Sequence, residues 1–141
     1  MVNQPIGLLS EEDPPRFLRA QALPYPELKR VWARIELTQF NDSPTLELTI
    51  LDEAGYEQAS MVMVDVQHTY ISLTMHLKNP LPGSSYRLIL RLLRDNSLLD
   101  ERVVPFDLVF VEKDRAREEA EGLLWSDRGI ESQPIDGGSN G

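Results

Sequence analysis

Between Leu77 and Phe110 the chain has a pattern that few folds can accommodate. A turn cluster, Lys78-Asn79-Pro80-Leu81-Pro82-Gly83, runs into Ser84 through Leu93, and a second turn, Arg94-Asp95-Asn96-Ser97, leads into Leu98 through Phe110. In the first run Tyr86, Leu88, Leu90 and Leu92 recur at a spacing of two, with Arg87 and Arg91 in the opposite phase. Successive side chains of a strand point to opposite faces, so this spacing describes a strand with one dry side and one wet side. The short Asp-Asn-Ser turn between two such runs predicts a β-hairpin.

The same period recurs upstream. Val31, Ala33, Ile35 and Leu37 alternate with Trp32, Arg34, Glu36 and Thr38. Leu46, Leu48 and Ile50 alternate with Glu47 and Thr49, after the turn signal Asn41-Asp42-Ser43-Pro44. Ile71, Leu73, Met75 and Leu77 alternate with Tyr70, Ser72, Thr74 and His76. Arg16 to Ala22 suits an edge strand broken by Leu23-Pro24-Tyr25-Pro26, because proline donates no ladder hydrogen bond. Tyr56 to Val66 contains Met61-Val62-Met63-Val64, apolar on both faces and suited to a buried strand or a sheet edge. About seven strands at short, regular spacing predict an all-β antiparallel sandwich or barrel over residues 14–111.

The ends differ in composition. Residues 14–111 carry ten Lys/Arg and twelve Asp/Glu, whereas Glu11-Glu12-Asp13 and the region from Glu112 onward hold most of the net charge of −9. Residues 1–13 read as a flexible leader ended by Pro14-Pro15. Residues 112–125, rich in helix formers with opposite charges three and four apart, predict a short helix. Residues 126–141 are too polar and glycine-rich to order themselves.

Composition also narrows function. An acidic chain without a basic block lacks the footprint for nucleic acid or an anionic membrane surface. No segment nears the roughly twenty apolar residues of a bilayer span, and the N-terminal stretch lacks the pattern of a secretion signal. Without cysteine there is no disulfide or thiolate chemistry. These features predict a soluble, cytoplasmic protein.

Tyr86-Arg87-Leu88-Ile89-Leu90, entered through Leu81-Pro82-Gly83-Ser84-Ser85, resembles the sixth strand of fibronectin type III and related immunoglobulin-like domains. The resemblance implies an immunoglobulin-like sandwich in which the Tyr86 ring is buried and its hydroxyl returns to the backbone. It covers about Arg16 to Val111 and concerns fold, which does not fix function.

No catalytic, metal or cofactor motif stands out. His68 and His76 have neither a neighbouring nucleophile nor a second ligand at metal spacing, and His76 lies on the polar phase of its strand. Asp52, Glu53, Glu57 and Asp65 lack the spacing of a calcium loop, and turn chemistry accounts for Asp52. Asn41-Asp42-Ser43 reads as a turn rather than a glycosylation site. A surface is the more informative candidate. With the apolar phases inward, Trp32, Arg34, Tyr70 and His76 share the outside of one sheet, and Phe17 joins them if the first strand is in register. Aromatic side chains beside an arginine are the composition of a protein-binding hot spot. The expectation is therefore a non-enzymatic module, without cofactor, binding a protein partner or itself through a sheet face or an edge strand. The alternative is carbohydrate binding on the Trp32–Tyr70 face. A covering of that face by Leu123-Leu124-Trp125 or by another copy of the chain is the competing explanation for its aromatic content.

Overall fold

The computed structural model describes residues 14–112. They form seven strands: β1 Phe17–Pro24, β2 Arg30–Leu37, β3 Thr45–Asp52, β4 Glu57–Met63, β5 Tyr70–His76, β6 Ser85–Arg94 and β7 Ser97–Asp107. These pair antiparallel into a three-stranded sheet, β1-β2-β5, and a four-stranded sheet, β4-β3-β6-β7. The helix expected over 112–125, the leader and the tail lie outside the described residues, apart from Glu112 itself.

The period-two pattern decides which faces meet. Val31, Ala33 and Ile35 on β2, Leu46, Leu48 and Ile50 on β3, and Leu88, Leu90 and Leu92 on β6 have no solvent exposure. Ile71, Met75 and Leu77 join them from β5 and the residue after it. The inner faces of the two sheets thus close on one another as an all-β sandwich, and burial of apolar area is the main stabilising term.

The turns explain how the hairpins close. Asp95 and Asn96 both adopt positive φ, 52° and 66°, the combination of a two-residue type I′ turn whose twist matches that of β6 and β7. Before β6, Gly83 takes φ 86° and the Ser84 amide donates to the Leu81 carbonyl at 3.1 Å, so Pro82-Gly83 forms the corner that turns the chain into the strand. The Leu81 amide donates to the Tyr86 hydroxyl at 2.9 Å, while the buried Tyr86 ring stacks on Phe106 at 5.6 Å between centroids. The backbone return expected of Tyr86 is therefore present.

Two details differ from the alternation read along the chain. Phe17 is in the core rather than on the outer face. The cause is a register irregularity, in which Phe17 pairs with Leu37 and Arg19 with Glu36, leaving Leu18 as an extra residue. One inserted residue reverses strand parity, which sends Phe17 inward and Arg19 and Gln21 outward. The Met61–Val64 stretch, open in sequence between core and edge, covers the end of β4 and the residue after it, at the edge of the larger sheet.

Opposite β4, the sandwich is laced between sheets. The Phe17 amide donates to the Asp100 carboxylate at 2.9 Å, and Arg102 donates to the Phe17 carbonyl at 2.8 Å, tying β1 to β7. Among the described residues, no helix is long and apolar enough to cross a membrane.

Candidate functional site

On the outer face of β2 stand Arg30, Trp32, Arg34 and Glu36. Register places them opposite His76, Thr74, Ser72 and Tyr70 on β5, and places Leu23, Gln21 and Arg19 of β1 opposite Trp32, Arg34 and Glu36. The four residues singled out in the sequence do share this face, but they are not equivalent. Arg34 is the hub. Its guanidinium carbon lies 4.8 Å from the centre of the Trp32 ring, within cation–π range, and its Nε reaches toward the Tyr70 hydroxyl at 3.4 Å. The Trp32 indole N–H donates to Ser72 Oγ at 2.8 Å. His76 is exposed at the end of the face, level with Arg30 and not gathered around Arg34.

The face contains more than sequence periodicity identified. Arg19 binds Glu36 through Nε at 2.9 Å and a terminal nitrogen at 2.8 Å. Tyr25 and Thr74 share a hydroxyl–hydroxyl hydrogen bond of 2.6 Å, and the Arg30 guanidinium lies 4.1 Å over the Tyr25 ring. Arg30 also pairs with Glu27. The hydrogen bond from Arg30 holds the Glu27 carboxyl below the usual carboxylate range, and the same bond raises Arg30. Arg19 escaped notice because its outward direction depends on the Leu18 bulge, and Tyr25 because it lies beyond the proline break. Stacked cations, aromatic rings and hydroxyls make an arrangement suited to recognition and packing.

The outer face of the four-stranded sheet is plainer. Arg91 binds Glu101 across β6 and β7 at 2.9 Å, with both side chains substantially in water. Register sets Arg91 between Glu47 on β3 and Glu101 on β7, and the ion pair forms with Glu101. Val62 and Val103 are among the exposed large apolar side chains of β4 and β7. Among the described strands β4 is an edge strand, and Val64, just past its end, is 72% exposed. No charged residue occurs from Gln58 to Val64.

The carboxylates around the β3–β4 hairpin have structural partners. Asp52 accepts from the Tyr56 amide at 2.9 Å and from the Gln58 side chain at 3.2 Å, and Gln58 in turn accepts from the Asn79 amide at 2.9 Å. This chain of bonds links the hairpin to the loop before β6 and confirms the turn role of Asp52. Tyr56, 71% exposed, stands at the rim of an open groove there, with Asp52, Glu57, Asn79 and Tyr86 among its lining. Among the described residues, no group of three or more His, Asp or Glu side chains is placed to hold a metal ion.

No family model matches the chain, and no curated protein matches it. Solved structures do. A protein described as a β-galactosidase from Bacteroides fragilis aligns with 66% of this chain at 19% identity and a TM-score of 0.52. A glycosyl hydrolase family 2 member from Bacteroides cellulosilyticus aligns with 67% of it at 16% identity and a TM-score of 0.50. The likeness establishes the sandwich fold. This chain spans only 17% and 14% of those two proteins, so the match concerns one region of much larger molecules.

Proposed function

We propose that this chain is a non-enzymatic protein-interaction module of the immunoglobulin-like, fibronectin type III-like kind, which pairs through the free edge of β4. The observation that carries the reading is the state of that edge. Among the described residues, β4 pairs with β3 alone; Val62 on it and Val64 just past its end are exposed, and no Lys, Arg or Pro occurs between Glu57 and Val66. Edge strands in stable monomers are usually guarded by charges, prolines or bulges, because unpaired backbone groups template further strands. A bulge between Ile50 and Leu51 distorts only the hairpin end of β4. A second copy of the chain is the simplest occupant. The Gln58 carbonyl accepts from the Lys78 amide at 3.0 Å, so a twofold antiparallel β4–β4 pairing would use the uncharged Ser60–Val64 stretch, without like-charge contact. The Tyr86 return to Leu81 supports the immunoglobulin-like assignment. The cysteine-free chain fits a reducing, cytoplasmic setting.

Sedimentation equilibrium of the full chain tests this reading. A concentration-dependent dimer is expected, and Val62→Lys with Val64→Lys should return it to monomer. A chain that stays monomeric throughout, or a dimer indifferent to both substitutions, removes β4 as the interface.

Carbohydrate binding is the second reading, and it moves from the Trp32–Tyr70 face to Tyr56. Arg34 occupies one face of the Trp32 ring, whereas Tyr56 offers an exposed ring beside Asp52, Glu57 and Asn79. Aromatic stacking flanked by carboxylate and amide groups suits a sugar. Titration with soluble oligosaccharides, following tyrosine resonances of the wild type against Tyr56→Ala, would show saturable shifts under this reading and none otherwise.

A further inference from the structure

Arg34 points away from the sandwich core, between outward Trp32 and outward Glu36, yet it has no solvent exposure, and Glu36 retains only 8%. The outward face of an antiparallel sheet ordinarily meets water, and arginine is among the residues least often fully buried. No strand among the described residues crosses this face. We infer that the segment Lys113–Trp125 of this chain docks across the outer face of β1-β2-β5, covering Arg34.

The place where the described chain ends supports this occupant. Leu108 is held to the Gly83–Ser84 turn by two backbone hydrogen bonds, and Gln58, Asn79 and Lys78 belong to the same end of the sandwich. Leu77 bonds to the Lys29 carbonyl, which brings the start of β2 to that end as well. The chain therefore leaves Leu108 at the end of the sandwich where β2 begins, from which the segment beyond Glu112 can return along β2. As the helix its composition favours, Lys113–Trp125 would extend about 20 Å. The stretch from Arg30 to Glu36 covers about the same distance at strand rise.

Chemistry points the same way. Glu118, Glu119 and Glu121 form an acidic run that suits the Arg34 guanidinium, while Arg19 and Arg30 on the same face pair with Glu36 and Glu27. A carboxylate placed over a buried guanidinium offsets its desolvation cost. Leu123-Leu124-Trp125 is the apolar cluster of this segment and would seal the far end. The leader also carries acids, Glu11, Glu12 and Asp13, but it enters at Arg16, whose neighbour Phe17 pairs with Leu37 at the opposite end of β2.

The absence of cysteine allows a direct test on the full chain. A nitroxide on Ser126→Cys should broaden the Trp32 indole N–H and the Arg34 Nε–H resonances of the same molecule, while the Ile89 and Val103 amides on the opposite sheet stay sharp. Adding Leu123→Ser and Leu124→Ser, outside every described strand, should restore the Trp32 and Arg34 signals. Equal broadening of both sheets indicates an undocked tail and overturns the inference. So does broadening seen only when labelled and isotope-enriched chains are mixed, which would make a second copy the cover. Broadening from a nitroxide on Ser10→Cys but not from Ser126→Cys would assign the face to the leader instead.

Discussion

The outer faces of the two sheets are built from similar residue types and end in different states. On the four-stranded sheet, Arg91 and Glu101 meet in water beside exposed Val62 and Val103. On the three-stranded sheet, Arg34 and Glu36 are buried among Trp32, Tyr70 and Arg19. Alternation gives both faces the same reading, polar and therefore wet. What separates them is the surroundings of each charge. An ion pair in water contributes little, whereas a guanidinium removed from water must be stacked and hydrogen-bonded, so the site becomes specific.

The shared core sets the upper limit for that comparison. Leu90 has no exposure and lies between the sheets, so Leu90→Ala should cost about 2–5 kcal/mol in chemical denaturation by leaving a cavity. A variant that unfolds like the parent would show that the sheets do not close on β6.

Next comes the comparison itself. Arg34→Ala should lower stability by about 1.5–3 kcal/mol, the range for hydrogen bonds to charged groups. Arg91→Ala should cost under about 1 kcal/mol. Equal losses for the two arginines would abolish the distinction between the faces.

A smaller effect is expected at the corner that fixes β6. Tyr86→Phe keeps the ring against Phe106 and removes the acceptor for the Leu81 amide, at a cost of about 0.5–1.5 kcal/mol. Faster exchange of the Leu81 amide should accompany it. An unchanged exchange rate would mean that the hydroxyl does not hold the turn.

The smallest effect belongs to Glu27. Its carboxyl is lowered by the hydrogen bond from Arg30, so the folded state prefers the ionised form. The resulting stabilisation is present above the ordinary carboxylate pKa and is lost as pH falls through the lowered folded value. Because the pair is exposed, the loss should stay below about 1 kcal/mol, and Glu27→Gln should remove only that part of the acid-side slope. A large change would place the pair inside a tighter network at the edge of the Arg34 face.

Much of the architecture was legible in the sequence because it depends on local rules. Period-two alternation identified the dry sides of β2, β3, β5 and β6, Arg94-Asp95-Asn96-Ser97 identified the hairpin turn, and Pro82-Gly83 before Tyr86 identified the corner. Each feature involves neighbours along one strand or within one turn, where backbone geometry leaves few options. The tertiary structure decided the rest. Only pairing with Leu37 and Glu36 reveals the extra residue at Leu18, which sends Phe17 inward and Arg19 outward. Only sheet order puts β4, with Val62, at the edge of the described four-stranded sheet. And only the assembled face withdraws Arg34 from water, because burial depends on what lies above a side chain, and a strand's own sequence records only the direction in which that side chain points.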